Sequence, residues 1–566
     1  MKSSGVPCIC LFVTITAATI CSAADTLPSA VRVIREEALR KNSSPDGRPL
    51  PLAAHWHRRY CPLSYQIEQI SRGHHLLPWL PTPVPQRDGN RAFEGNEDGL
   101  RQLRKWKLPF ALITGGQWEA TLYDHQQRWR SLPPEKSPLV VPVEPIRGKD
   151  GKIKPTAKQL SPFGAIEPWR EIGKVWMGSP GMKAIQQAYP DPPMVLIVSN
   201  NEAHDLRWHE VEDESKRYLD KYGKGRDGEF KRKVVAEGWI ERYQAMLDAM
   251  RGSLIEDDWK KKSRFVAYNA MGPNHIGRWD AWKTYSLITK DYVDPGPIIW
   301  DGAIPAYYDN HWQPQKSIWG AWSCQTEAMN MALLKEEALR IKPEFWHEVI
   351  FWDGNLPGKD NDRYQSYTEM GFPPSPQRYR GWVQYGMWLL TPRVAREWRS
   401  SADKRKRWEA YFNAIVGAVD LVHTDKVLTR FWRKGELVQP AINSHPFQSN
   451  VPQWLEDRNR WYHLRTSLDP EYPLKLDSVL PVFTLARVIG EKPNRQWLLY
   501  GHAPKGDKKH VEVEIPGHKK VTVDVSLSGS FYQILEEDGV VKPVGDISWI
   551  SETDQGHGPV SPEKRR

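Results

Sequence analysis

The stretch that most constrains this chain is Met194–Glu202, read with Pro192 and Pro193 before it. Five apolar residues, Met194-Val195-Leu196-Ile197-Val198, run straight into Ser199-Asn200-Asn201-Glu202. A short continuous apolar run, bounded by proline on one side and polar residues on the other, is the pattern of a strand buried on both faces, as in a parallel sheet. Two amides and a carboxylate then stand where that strand ends. In parallel α/β folds the strand ends open into the loops that form the site, so ligand-facing groups collect there.

The N-terminal residues have the pattern of an export signal: Lys2, an apolar stretch from Ile9 to Ile20, and the small-residue pattern Cys21-Ser22-Ala23. The apolar stretch is short for a membrane span, and no later segment reaches the roughly 20 apolar residues that a spanning helix needs. Ile20 stands where a lipoprotein would have a small residue before Cys21. The expectation is a soluble protein, secreted or periplasmic, that begins near Ala24 after residues 1–23 are cleaved. Cys8, Cys10 and Cys21 leave with that segment, so only Cys61 and Cys324 remain, as one bridge or two buried thiols. That is no disulfide framework. The formal charge of +10 becomes +9 when Lys2 is lost. Such a surface suits anionic glycans or membrane surfaces, and equally a basic surface that is merely solvated. The 27 tryptophans point toward carbohydrate, because sugar C–H faces stack on flat aromatics, although core packing uses tryptophan as well.

Buried-strand patterns recur along the chain at Pro51–His57, His75–Leu80, Phe110–Gly115, Met194–Ser199, Arg264–Ala270, Ile298–Ala306, Phe345–Phe351 and Gly381–Leu389. Segments with helical spacing alternate with them: Leu100–Trp106, Lys216–Arg251, Trp279–Ile288, Thr326–Ile341 and Lys404–Val422. This alternation predicts an α/β fold with a parallel sheet, and eight repeats predict a (β/α)8 barrel over residues 24–475. The Pro-, Lys- and Gly-rich stretch around 132–164 reads as an insertion after strand three that could wall a cleft. From about 476 to 550 the texture changes to short alternating runs (Gln496–Tyr500, His510–Ile515, Lys520–Val525, Phe531–Leu535) separated by turn residues, the pattern of a small antiparallel β-sandwich. Residues 551–566 form a polar tail.

The seventh strand reads Glu344-Phe-Trp-His-Glu348-Val-Ile-Phe-Trp352-Asp353-Gly354-Asn355. Side chains alternate along a strand, so Glu348, Ile350 and Trp352 share one face and Asp353 takes the other. Sequence leaves Glu348 two roles: a reactive carboxylate, or the partner of His347 or a nearby arginine in an ion pair. Two carboxylates flanking one bond are what glycosidic hydrolysis requires. One donates a proton to the leaving oxygen; the other attacks the anomeric carbon or activates water. Other strand ends carry residue types that a sugar site uses. These are His55-Trp56-His57-Arg58-Arg59 after strand one, His74-His75 with Trp79 around strand two, and Gly115-Gly116-Gln117-Trp118-Glu119 after strand three. Tyr268-Asn269 closes strand five, Trp300-Asp301 and Tyr307-Tyr308-Asp309-Asn310-His311-Trp312 surround strand six, and Tyr385 and Trp388 fall in the eighth run.

The Asn201-Glu202 pair at the end of the fourth strand resembles the acid/base motif of the retaining (β/α)8 glycoside hydrolases of clan A. The exported, basic, Trp-rich character with a trailing β-sandwich is similar to bacterial polysaccharide degraders of the agarase and porphyranase type. The resemblance implies Glu202 as general acid/base, Glu348 on the seventh strand as nucleophile, Asn201 on the hydroxyl beside the anomeric carbon, and Tyr307 or Tyr308 supporting the nucleophile. It departs from the clan at strand seven, which lacks a glutamate at its very end. The substrate contacts expected from this reading are Asn201, His55, His57, Trp118, Tyr268, Tyr307, Tyr308, Trp352 and Trp388, with no cofactor and no metal. The partner is a polysaccharide or oligosaccharide, and nucleic acid is not expected: Lys260-Lys261-Lys262 and Lys404-Arg405-Lys406-Arg407 read as solvated helix faces. Two alternatives stay open: a non-catalytic glycan-binding protein on a degenerate barrel, and a metal-dependent hydrolase using His55 and His57 with Asp301 or Asp309.

Overall fold

The structure is a computed structural model, and it describes residues 27–40, 49–55, 60–83, 95–114, 125, 128–139, 160–199, 216–268, 295–308, 323–352, 375–397, 405–440, 460–471, 480–537 and 539–545. Nine strands form one parallel sheet: β1 (Leu52–His55), β2 (Trp79–Pro81), β3 (Phe110–Thr114), β4 (Val195–Ser199), β5 (Ser263–Tyr268), β6 (Gly302–Ile304), β7 (Ala306–Tyr308), β8 (Trp346–Trp352) and β9 (Val394–Glu397). β6 and β7 both pair with β8 and are split at Pro305, which has no N–H to give a ladder and only accepts, from Ile350 N at 3.0 Å. Counted as one stave, they leave eight. Each stave adjoins its chain neighbour in the order β1-β9-β8-β6-β5-β4-β3-β2, and helices such as Gly228–Gly252, Ser323–Ile341 and Arg405–Thr424 lie between them in sequence. This is the curled parallel sheet of an α/β barrel.

The sheet is not closed by a ladder. Between its two ends, β1 and the residues leading into β2, the described residues make one parallel bridge, Ala53–Leu76, with Ala53 N donating to His75 O at 3.3 Å and Leu77 N to Ala53 O at 2.9 Å.

β4 is the strand that the apolar run predicted, with all five residues buried. The expected eighth strand, Gly381–Leu389, is corrected: those residues belong to the helix Pro376–Leu390, and the eighth stave is β9. The start signals of that helix were present in the sequence. Ser375 caps it, accepting from Arg378 N at 3.1 Å, and Pro376 stands at its first turn. The segment resembles a buried strand because every side chain from Pro376 to Leu390 except Gln377 is buried, Arg378 and Arg380 included, so no polar stripe betrays the helical period. β9 was missed for the converse reason, since half of Val394-Ala395-Arg396-Glu397 is charged, yet all four are buried. The expected strand Ile298–Ala306 is instead a short helix, Pro295–Ile299, followed by β6 and β7. The expected single helix Lys216–Arg251 is two, Lys216–Tyr222 and Gly228–Gly252, with a turn between them in which Gly223 and Gly225 take φ of +75°. The expected helix Trp279–Ile288 lies outside the described residues.

The C-terminal part is a separate antiparallel sheet of β10 (Glu436–Leu437), β11 (Phe483–Ile489), β12 (Gln496–His502), β15 (Ser530–Leu535) and β16 (Val541–Val544), with a hairpin of β13 (Lys508–Val513) and β14 (Val521–Val525). Alternation sorts its residues. Phe483, Leu485, Leu498, Tyr500 and Phe531 join the main core, while Ala486, Trp497, Leu499 and Ile534 share a second core with Val511, Val513 and Val523 of the hairpin. The main-core face packs on the helix Pro376–Leu390. Tyr500 Oη donates to Gly381 O at 2.6 Å, and Arg487 donates to Trp388 O and Gly435 O.

Candidate active site at the strand ends

The two faces of the parallel sheet follow from β8. His347 stands on the side of the outer helix Ser323–Ile341, whose Lys335, together with burial, pushes the His347 imidazole well below its ordinary value. Trp346, Glu348 and Ile350 alternate to the opposite, inner side. Register carries that assignment across the sheet. Gly302 pairs with Trp346 and Val266, Ile304 with Tyr268, and Val394 with Glu348, so Tyr268 of β5 and Arg264 below it share the inner face with Glu348. Val198 pairs with Val266, which puts Leu196 and Val198 of β4 inside. The Asn200-Asn201-Glu202 segment that follows Ser199 lies outside the described residues.

Glu348 and Arg396 are both fully buried, 0 % exposed, and form an ion pair through Arg396 Nε. The other carboxylate oxygen accepts from Trp346 Nε1 at 2.7 Å. Two guanidinium groups in turn lie over the Trp346 ring, Arg393 at 4.8 Å and Arg264 at 5.7 Å from its centroid. Burial, with Arg264 adding repulsion, lowers the Arg393 guanidinium to about 9. Arg396 pairs with Ile350, two residues nearer the strand ends than Val394 opposite Glu348. Glu348 therefore sits one inner layer beneath its arginine. Sequence reading named Glu348 but not Arg396, Trp346, Arg264 or Arg393. The signal for the arginines was weak: a charged residue at an inner position of a strand that otherwise reads as buried.

Of the other predicted contacts, Tyr268 is buried on the inner face of β5. His55 ends β1 opposite Glu397, and Tyr307, Tyr308 and Trp352 lie in β7 and β8, with Tyr308 paired to Trp352; their side chains are outside the described residues. Asn201, Glu202, His57, Trp118, Asp309 and Asp353 are outside them altogether. Trp388 is not at a strand end. It lies on the helix Pro376–Leu390, 1 % exposed, edge-on to Trp432 at 5.1 Å and Phe531 at 5.4 Å, so its ring joins the helix to the C-terminal sheet. Tyr385 is likewise inside that contact, stacked on His463 at 5.3 Å. His74 and His75 precede β2 rather than follow it, and both bind Asp420. Asp301 precedes β6, where it accepts from Phe265 N at 2.9 Å and pairs with Arg251 and Lys342. It is therefore at the opposite end of the sheet from His55, and these two do not share a metal site. Among the described residues no group of three or more His, Cys, Asp or Glu is arranged to hold a metal ion.

A cleft of about 860 Å3 opens between the segment Leu132–Lys136, the residues Phe163–Lys174, and Arg217 and Arg242. Both arginines are committed to main-chain carbonyls, Arg217 to Leu139 at 2.8 Å and Pro134 at 2.6 Å, Arg242 to Gly164 at 2.9 Å. Glu135, Glu167 and Glu171 stand beside Lys136 and Lys174 around it, so it favours neither sign of charge.

No protein-family model matches the chain, and no curated protein matches it. Among solved structures, a chitinase from Chromobacterium violaceum ATCC 12472 overlaps 65 % of this chain and 99 % of its own, at 9 % sequence identity and a TM-score of 0.27. An overlap of that size carries no weight for fold or function, which rest on the sheet and its residues. No described helix is long and apolar enough to cross a membrane.

Proposed function

We propose that the chain is an exported glycoside hydrolase acting on a polysaccharide or oligosaccharide, with its site at the strand-end mouth of the α/β barrel. Glu202 is the general acid/base and Glu348 the nucleophile. The observation that carries this reading is the order of the staves. β4 ends one residue before Asn200-Asn201-Glu202 and β8 carries Glu348, with only β5 and the β6–β7 stave between them, so the two carboxylates belong to staves that curl toward each other. The Arg396 guanidinium and the Trp346 N–H hold the Glu348 carboxylate in one orientation.

In the retaining form of the reaction, Glu202 gives its proton to the glycosidic oxygen as the C–O bond breaks. The Glu348 carboxylate bonds to the anomeric carbon. Water then attacks that carbon, Glu202 takes the proton, and the carboxylate leaves. Retention requires carboxylates about 5–5.5 Å apart and inversion about 6.5–9.5 Å. Asn201 and Tyr268 are the proposed sugar contacts beside them, and the basic surface suits an anionic polymer.

A second reading is favoured by the complete burial of Glu348 beneath Arg396. In it the pair is an internal brace, and the seventh-strand carboxylate that reacts is Asp353, or none does and the barrel only binds glycan. A panel of polysaccharides and activated aryl glycosides separates the two. Glu202→Gln should cripple natural substrates and spare activated aryl glycosides, which need little protonation. Glu348→Gln should abolish turnover on both while the folded protein persists. Near-normal activity in Glu348→Gln with loss in Asp353→Asn gives the role to Asp353, and activity that none of these changes affects removes the glycosidase reading.

A further inference from the structure

The weakest seam of the parallel sheet is also the one where histidines collect. Among the described residues, β1 and the segment leading into β2 share one bridge, Ala53–Leu76, and the helix Arg405–Thr424 grips both sides of it from its last turn. Asp420 takes the β2 side: its Oδ1 accepts from His75 N at 2.8 Å and His75 Nδ1 at 2.7 Å, and its Oδ2 accepts from His74 Nδ1 at 2.7 Å. His423, three residues on and therefore on the same helix face, takes the β1 side, with Nε2 donating to Pro51 O at 2.6 Å. The two sides meet where the His423 and His75 rings stack, with centroids 4.0 Å apart and planes 8° from parallel.

We infer that this cluster is an acid-sensitive clasp: it holds the β1–β2 seam shut while His423 is neutral and lets the seam open when His423 takes a proton. The geometry supplies the reason. In neutral His423 one nitrogen donates to Pro51 and the other, Nδ1, is a bare lone pair. Nδ1 is buried with no hydrogen-bond partner. A proton there has no acceptor, and the new charge faces the His75 ring. From the following helix, Lys426–Lys434, comes the positive Arg433, itself paired with Glu37. Among the described residues the anion facing the ring is Asp420, and both of its oxygens are already taken by His74 and His75. Burial first, then His75, keep the His423 imidazole well below its ordinary value; Pro51 and Asp420 pull the other way and Arg433 adds to the lowering. Once the seam opens, water solvates the imidazolium and the penalty vanishes. Opening is therefore favoured as pH falls below the ordinary histidine value of about 6.5, by up to about tenfold for each pH unit. The device concerns the fold and does not depend on which reaction the strand ends carry out, although His55 ends the strand it would release.

Hydrogen exchange read by mass spectrometry on the full-length protein, corrected for the intrinsic pH dependence of exchange, tests this. Peptides covering 49–55 and 74–81 should lose protection by about 30-fold between pH 7.5 and 5.0 at that slope, and should be less protected than peptides covering β4 throughout, as a local opening requires. In His423→Gln, whose amide can still donate to Pro51 O, the seam peptides should become insensitive to pH over that range. The inference is overturned if the seam peptides of the unaltered protein hold their protection to pH 5.0. It is equally overturned if they are as protected as β4 at every pH, so that they open only with the whole molecule, or if His423→Gln keeps the acid response. Should that variant fail to fold, the comparison of seam with β4 in the unaltered protein decides alone.

Discussion

β4 and β9 are staves of one sheet, equally buried, and they fill their space by opposite chemistry. β4 is Val195-Leu196-Ile197-Val198-Ser199, hydrocarbon on both faces, and its stability comes from area removed from water. β9 is Val394-Ala395-Arg396-Glu397, and its inner face is occupied by a guanidinium that must find a counter-charge inside the protein. It finds Glu348 on β8. A stave of the first kind tolerates a lost methyl at modest cost, because the hole left behind is apolar. A stave of the second kind is more sensitive to losing either partner, since the survivor is a buried charge stripped of its ion pair.

The largest effect should come from separating that pair. Arg396→Met leaves Glu348 buried with only the Trp346 N–H, and should cost about 3–5 kcal/mol in a urea or guanidinium titration. The double change Arg396→Met with Glu348→Leu should recover most of that loss, because an apolar replacement of both partners has little to desolvate. Ile197→Val on β4 gives the other arm of the comparison, at about 0.5–1.5 kcal/mol. If Arg396→Met costs no more than Ile197→Val, the contrast between the two staves is wrong and the inner face of β9 is wet.

That contrast also sets how much the sequence disclosed. β4 could be read because hydrocarbon burial leaves its signature residue by residue. β9 could not, because Arg396 is paired inside with Glu348, forty-eight positions earlier, and nothing local announces the pairing. Gly381–Leu389 misled for a related reason: with Tyr379 toward Tyr411 on one side and Trp388 toward Phe531 on the other, the helix shows no dry and wet faces from which to read a period. At the candidate site, alternation sufficed to put Glu348 and His347 on opposite faces. It said nothing of depth. Depth depends on the stagger between neighbouring strands, and that stagger sets Arg396 nearer the strand ends than the carboxylate it holds.

A middle-sized effect separates titrating from permanent charge in the same region. His347, on the outer face of β8, is buried with neither ring nitrogen hydrogen-bonded, and its imidazole is held well below the ordinary value. His502 on β12 is lowered to about 3, by burial first and then by Arg378. Both stay neutral when folded and accept a proton readily when unfolded. Their contribution to stability is thus complete above about pH 6.5 and declines as pH falls from there toward the depressed folded values. The folding equilibrium constant should drop by up to about tenfold per pH unit for each such histidine. His347→Phe should remove one proton's share of that slope between pH 6.5 and 5, measured by chemical denaturation at each pH. An unchanged slope would mean that His347 is solvated or protonated in the folded state.

The smallest effect belongs to a neutral contact between the C-terminal sheet and the helix Pro376–Leu390. Tyr500 Oη, fully buried on β12, donates to Gly381 O at 2.6 Å, within the helix that the C-terminal sheet covers. Neither partner carries a charge, so the removal leaves an unmatched carbonyl rather than an unmatched ion. That carbonyl belongs to a helix interior, where it can still accept from the backbone four residues on. Tyr500→Phe keeps the ring packed against Phe531, 4.7 Å away, and should cost only about 0.5–1.5 kcal/mol. The transition should stay single, because Arg487 still bonds Trp388 O and Gly435 O across the same interface. A loss as large as that of Arg396→Met, or a split into two transitions, would show that the helix and the C-terminal sheet are held together chiefly by this one hydroxyl. The difference between buried charge and buried neutral polarity would then no longer order the effects in this protein.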